Sequence, residues 1–115
     1  MNVRFITAGA LGATGVALGA FGAHGLKEQL SQIPEAVAWW NAATIYLLIH
    51  AVAVGAISQG RRWTAIFWSV GTLIFSATLY AMALGAPRWL GAITPIGGSM
   101  LILGWLTLLV SGFRK

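Results

Sequence analysis

Nine charged side chains in 115 residues, seven basic and two acidic, cannot cover the surface of a soluble domain, where about a quarter of residues are charged. With 58% hydrophobic residues, the chain reads as an integral membrane protein. The absence of cysteine excludes disulfides, thiolate nucleophiles, iron–sulfur clusters and cysteine-ligated zinc, and the +5 net charge is too scattered to form a nucleic-acid stripe.

Four apolar stretches, 5–23, 40–58, 64–84 and 92–111, each approach the ~20 residues that cross a hydrocarbon core as a helix. The expected fold is all-α: one integral membrane domain over 1–115, a four-transmembrane-helix bundle. Met1 to Gly22 has the outline of a signal peptide, with Arg4, an apolar run and small residues near Ala20 and Gly22. It is expected to remain as the first span. Within it Gly12, Gly15, Gly19 and Gly22 fall within about 80° of one another at 100° per residue. Such a face suits close helix packing. The expected occupant is a neighbouring helix of the same chain; a homo-oligomer seam is the competing reading.

The one substantial connection runs from His24 to Trp39. Its Leu26, Leu30 and Ile33 recur at spacings of four and three among polar residues. That pattern predicts a short amphipathic helix on the outer surface, stopped by Pro34. The second span offers Asn41, Thr44, Tyr46 and His50. A tight "QGRR" turn (59–62) leads to the third, where Thr72, Ser76 and Tyr80 share one face. Before the fourth span, Thr94 followed by Pro95 reads as an N-cap with proline at the first helical position. Gly97, Gly104 and Ser111 then recur every seven residues as a second small-residue seam.

Arg4, Arg61, Arg62, Arg114 and Lys115 fall on one side of these spans, Lys27 and Arg88 on the other. The positive-inside rule therefore predicts cytoplasmic N- and C-termini. Trp39, Trp40 and Trp89 are expected at the outer interface and Trp63 at the inner one.

His50 lies about 15 Å below the outer end of its helix, near the midplane. Ser76 reaches a similar depth, and Tyr46 and Tyr80 fall in the outer half, so one connected hydrogen-bond network is expected. A neutral imidazole satisfied by a hydroxyl such as Ser76 or Tyr46 is one reading of His50; a ligand, proton or solute role is the other. His24 is expected to cap the outer end of the first helix, where carbonyls need partners. A shared haem fails, because the two histidines differ by about 15 Å in depth. Both acids are glutamates outside the spans, and the chain has no aspartate. No catalytic residue, metal site or cofactor is expected.

Four blocks, "GAFGAHGL" (19–26), "YLLIHA" (46–51), "IFSATLYAMALG" (74–85) and "ITPIGGSMLILGW" (93–105), resemble a family of small four-helix membrane proteins of unknown function. It is the bacterial YgdD type, related to eukaryotic transmembrane protein 256. The resemblance spans essentially the whole chain. It implies a bacterial inner-membrane location and no settled activity, and it marks Gly19, Phe21, Gly22, His24, Gly25, His50, Ser76, Tyr80, Pro95, Gly97, Gly98 and Trp105 as characteristic. The third block departs by reading Ser-Ala-Thr after Phe75, where Ser-Gly-Ser is the family pattern.

The leading functional expectation is a non-enzymatic protein acting through helix–helix contacts, as an accessory subunit of a larger membrane complex or as a homo-oligomer. The alternative is an outward-facing binding or permeation protein for a lipid or small solute. Its polar cluster would comprise His24, Asn41, Tyr46, His50, Ser76, Tyr80 and Thr94. A histidine-based enzyme lacks a second catalytic group. Membrane lipids are the expected surroundings and partners, with no nucleic acid.

Overall fold

The computed structural model describes residues 1–114. Its helices are α1 (Val3–Ala23), α2 (Lys27–Ser31), α3 (Ala36–Ile57), α4 (Arg62–Ala83) and α5 (Thr94–Ser111), with a 3₁₀ turn at Arg88–Ala92 leading into α5. Among the described residues there is no strand. The helices α1, α3 and α4, and the Arg88–Ser111 unit, are each long and apolar enough to cross a membrane. The second span begins at Ala36 rather than near Trp40, so Trp39 and Trp40 lie inside its first turns.

Local chemistry sets the helix ends. The Asn2 side chain accepts the Phe5 N–H at 3.1 Å and caps α1. At the far end, the His24 N–H reaches the carbonyls of Ala20 and Phe21, and the Leu26 N–H closes onto Phe21 at 2.8 Å. The turn before α4 requires Gly60, whose φ is +74°.

Thr94 is not an N-cap. The 3₁₀ turn runs straight on through Ile93, which already has helical backbone, so Thr94 is the first residue of α5 and Pro95 the second. The Thr94 hydroxyl instead meets Leu90 O at 3.2 Å and Thr78 Oγ1 at 2.6 Å.

The helices pack mainly on their neighbours in the chain: α1 on α3, α3 on α4, α4 on α5. Glycine makes these approaches close. A Cβ at Gly15 would lie 2.7 Å from Leu48 Cδ2, and one at Gly22 would run into the Trp40 indole. Gly12 and Gly19 face Ala51 and Thr44 of the same helix, so all four glycines of this α1 face lie on α3. Gly97 rests on the backbone of Gly71 and Phe75, and Gly104 on the Trp68 indole. Here α4 and α5 touch backbone to backbone. At the Ser-Ala-Thr departure Ala77 faces outward, and the close approach to α5 is made instead by the backbone of Gly71 and Phe75.

Two buried clusters result. One gathers Leu30, Trp40, Leu47, Leu79 and Met82, and the other Val54, Trp68 and Leu101. Leu30, at 2% exposure, inserts from α2 into the first cluster, with Leu26 and Ile33 packed against it. The connecting helix is therefore a plug in that end of the bundle, which we call the loop end. The opposite, arginine end carries Arg4, Arg61, Arg62 and Arg114. Lys115, counted with them in the sequence, lies outside the described residues.

Trp89 and Trp63 are exposed, as rings at a membrane interface would be, but Trp40 is only 2% exposed. Gly22 leaves room for its indole between α1 and α3, where it donates to Leu18 O at 2.7 Å.

Candidate functional site

A polar group inside a bilayer must find a partner within the protein, so each candidate side chain is defined by where its hydrogen bonds go. His50 on α3 is 3% exposed. Its Nδ1 lies 2.8 Å from the Tyr46 carbonyl, which can only accept, so Nδ1 carries the proton. The lone pair on Nε2 accepts the indole N–H of Trp105 from α5, at 3.0 Å. The ring is a neutral imidazole with both nitrogens engaged. Tyr46 stacks beside it, and the Trp68 and Trp105 rings meet it edge-on at 6.1 and 5.9 Å. Its partner is neither the Ser76 nor the Tyr46 hydroxyl but an indole 55 residues away.

The other candidates do not join this centre. Ser76 donates to Ala43 O at 2.9 Å. Thr44 donates to Trp40 O at 2.9 Å and therefore accepts the Tyr80 hydroxyl at 2.7 Å. With Trp40 bonded to Leu18, a staple runs from α4 through α3 to α1. Thr94 pairs with Thr78. The single expected network is thus four separate fastenings, each of which ends on a backbone carbonyl one turn back or on the facing helix.

His24 and Asn41 are exposed, and among the described residues their side chains make no hydrogen bond. For His24 it is the backbone N–H that serves the helix end. Tyr46 is 44% exposed, its ring edge-on to Phe75 at 4.9 Å. A groove of about 360 Å³ does open near the loop end, walled by Trp39, Phe75, Leu79, Met82, Arg88 and Thr94. Of the proposed cluster only Thr94 lines it: His24, Asn41 and Tyr46 are exposed elsewhere, and His50, Ser76 and Tyr80 are engaged inside the bundle. Arg88 at its rim pairs with Glu35 at 2.9 Å, both exposed, and lies over Trp39.

Reading for polar residues missed the tryptophans. Trp105 entered only through the family resemblance, and Trp68 not at all. The available signal was depth: an indole in mid-span, away from the interface belts, carries an N–H that needs an acceptor. Trp68 Nε1 and Thr72 Oγ1, four residues apart on α4 and fully buried, have no hydrogen-bond partner among the described residues. Nor do the described residues hold a group of three His, Asp or Glu side chains able to take a metal ion. At this centre a buried imidazole and an indole tie α3 to α5.

Residues 18–98 match the family described as protein of unknown function DUF423. The chain is similar to a UPF0382 membrane protein of Staphylococcus epidermidis, at 41% identity over 96% of this chain and 95% of the relative. A UPF0382 membrane protein of Schizosaccharomyces pombe is 38% identical, over 95% and 97% of the two chains. The UPF0382 inner membrane protein YgdD of Escherichia coli is 35% identical, over 86% and 80%. No solved structure matches the chain.

Proposed function

The chain belongs to the DUF423 family of membrane proteins, and from that premise we propose that it works without catalysis, through contacts with another transmembrane helix. The observation that carries this reading is the two-sidedness of α1. One face is spent on α3. On the opposite face Ala10, Ala13, Thr14 and Ala17 are exposed, and the helix buries only Leu11 and Gly15. In lipid, where no hydrophobic force drives helices together, association depends on small residues that let backbones approach. A second helix finds such a surface on the bare side of α1. It belongs either to another copy of this chain or to a larger complex that this chain serves as an accessory subunit.

The spent chemistry of His50 supports the same reading, since neither ring nitrogen is free to take a substrate proton while Trp105 is bonded. We place the protein in the bacterial inner membrane with both termini cytoplasmic, on the concentration of Arg4, Arg61, Arg62 and Arg114 at one end. Native mass spectrometry of protein released gently from its own membranes tests the proposal. A multiple of the chain mass, or a heavier species containing other chains, is the expected result. A bare monomer from membranes that preserve other complexes overturns it.

A further inference from the structure

At the arginine end, α4 and α5 diverge around a groove of about 570 Å³ whose lining changes character with depth. At its mouth stand Arg61, Arg62 and Arg114, all exposed. Further in, the walls are Trp63, Leu106 and Val110. The groove closes where Thr64 and Thr107 meet at 2.6 Å, a pair anchored by Thr107 donating to Gly104 O.

Among the described residues the charges at the mouth have no side chain of the opposite sign to meet. The chain's only acidic side chains, Glu28 and Glu35, belong to the loop end, and Glu35 is paired there with Arg88. Arg61 Nη1 is steadied by the carbonyls of Ile57 and Gln59, at 3.0 and 3.3 Å, which leaves the rest of its donor fork outward. The Arg62 guanidinium lies 5.8 Å from the Trp63 ring centroid. A planar fork of this kind matches phosphate oxygens two at a time. Arg4, near a neighbouring groove at the same end, differs: its guanidinium donates into the bundle, to Gly55 O at 3.1 Å.

We infer that this groove binds a phospholipid with a net negative headgroup, its phosphate held among Arg61, Arg62 and Arg114 and an acyl chain laid along Trp63, Leu106 and Val110. Charge at the mouth selects the headgroup, since clustered basic residues at a membrane face attract anionic lipid. The apolar wall beneath selects a lipid over a free phosphate, which would leave Leu106 and Val110 uncovered. The inference is independent of the α1 contact proposed above, which lies on a different helix.

The test uses the full chain in nanodiscs or micelles with added phosphatidylglycerol, phosphatidylcholine or glycerol phosphate, read by native mass spectrometry and thermal midpoint. Phosphatidylglycerol is expected to give a saturable one-lipid adduct and to be retained over phosphatidylcholine by at least about ten-fold. That preference disappears in Arg61→Gln/Arg62→Gln/Arg114→Gln and survives in Arg88→Gln, at the other end. Circular dichroism checks that the triple variant is folded. Leu106→Glu, which sets a like charge beside the acyl path and leaves the arginines intact, is a second variant expected to lose the adduct. Equal retention of the two lipids, an unchanged preference in both variants, or the same shift from glycerol phosphate alone overturns the assignment.

Discussion

The indole N–H of Trp105 and Nε2 of His50 lie 3.0 Å apart, joining α5 to α3, two helices that α4 otherwise separates and packs against. The bond fixes the histidine's tautomer together with the Tyr46 carbonyl and engages the lone pair that Nε2 would otherwise offer.

Trp105→Phe keeps the aromatic packing and strands Nε2, and should destabilise the protein by about 1–3 kcal/mol. With His50→Leu it forms a double-mutant cycle whose coupling should be about 0.6 kcal/mol, the average for side-chain hydrogen bonds in membranes, and at most about 1.7 kcal/mol. Reversible unfolding in mixed micelles measures both. A coupling of zero would mean that the two groups are not bonded.

A glycine inside a helix contact and one facing open space should respond oppositely to one methyl group. Gly97→Ala drives a Cβ into the α4 backbone at Phe75, a form of overpacking that costs about 1–3 kcal/mol. Gly9→Ala meets nothing within 4 Å and should be neutral or stabilising by up to about 1 kcal/mol through helix propensity. Thermal midpoints of the two variants in one detergent make the comparison.

Removing the Tyr80 hydroxyl by Tyr80→Phe breaks the staple through Thr44 and should cost about 1 kcal/mol. His24→Ala and Asn41→Ala remove exposed side chains without hydrogen bonds and should each stay within about 0.5 kcal/mol. A larger loss at His24 or Asn41 than at Tyr80 would reverse this ranking.

Ala13→Leu with Ala17→Leu enlarges the bare face of α1 and leaves its α3 face alone. The higher-mass species in native spectra should be lost while helicity is unchanged. Leu109→Ala, an exposed change on α5, should leave that species intact. Retention of the species in the α1 variant would move the contact elsewhere.

Span number was legible because length and hydropathy alone dictate it. The facing of α1 was legible because four glycines at helical spacing define a surface whatever surrounds it. Helix rotation elsewhere was not, since lipid-facing and buried positions are both apolar and leave little amphipathic signal. Asn41 and Tyr46 therefore read as inward although they face outward, and Trp40 reads as interfacial although Gly22 opens a socket for it. The pairing of His50 with Trp105 spans 55 residues, and nothing local announces it. Hydroxyls satisfied by nearby carbonyls, as at Thr44 and Ser76, look in sequence like groups in search of a ligand.

The neighbour-by-neighbour packing of the four spans also bears on how the molecule is made. Each helix meets its main partner as soon as the next span leaves the ribosome, so α1 can wait on α3, and α3 on α4, without holding open a place for a distant segment. The exposed Arg88–Glu35 pair and the buried Trp105–His50 bond both reach back past α4, and both come from the last span synthesised. Assembly can proceed in the order of translation, with the buried bond as the closing latch.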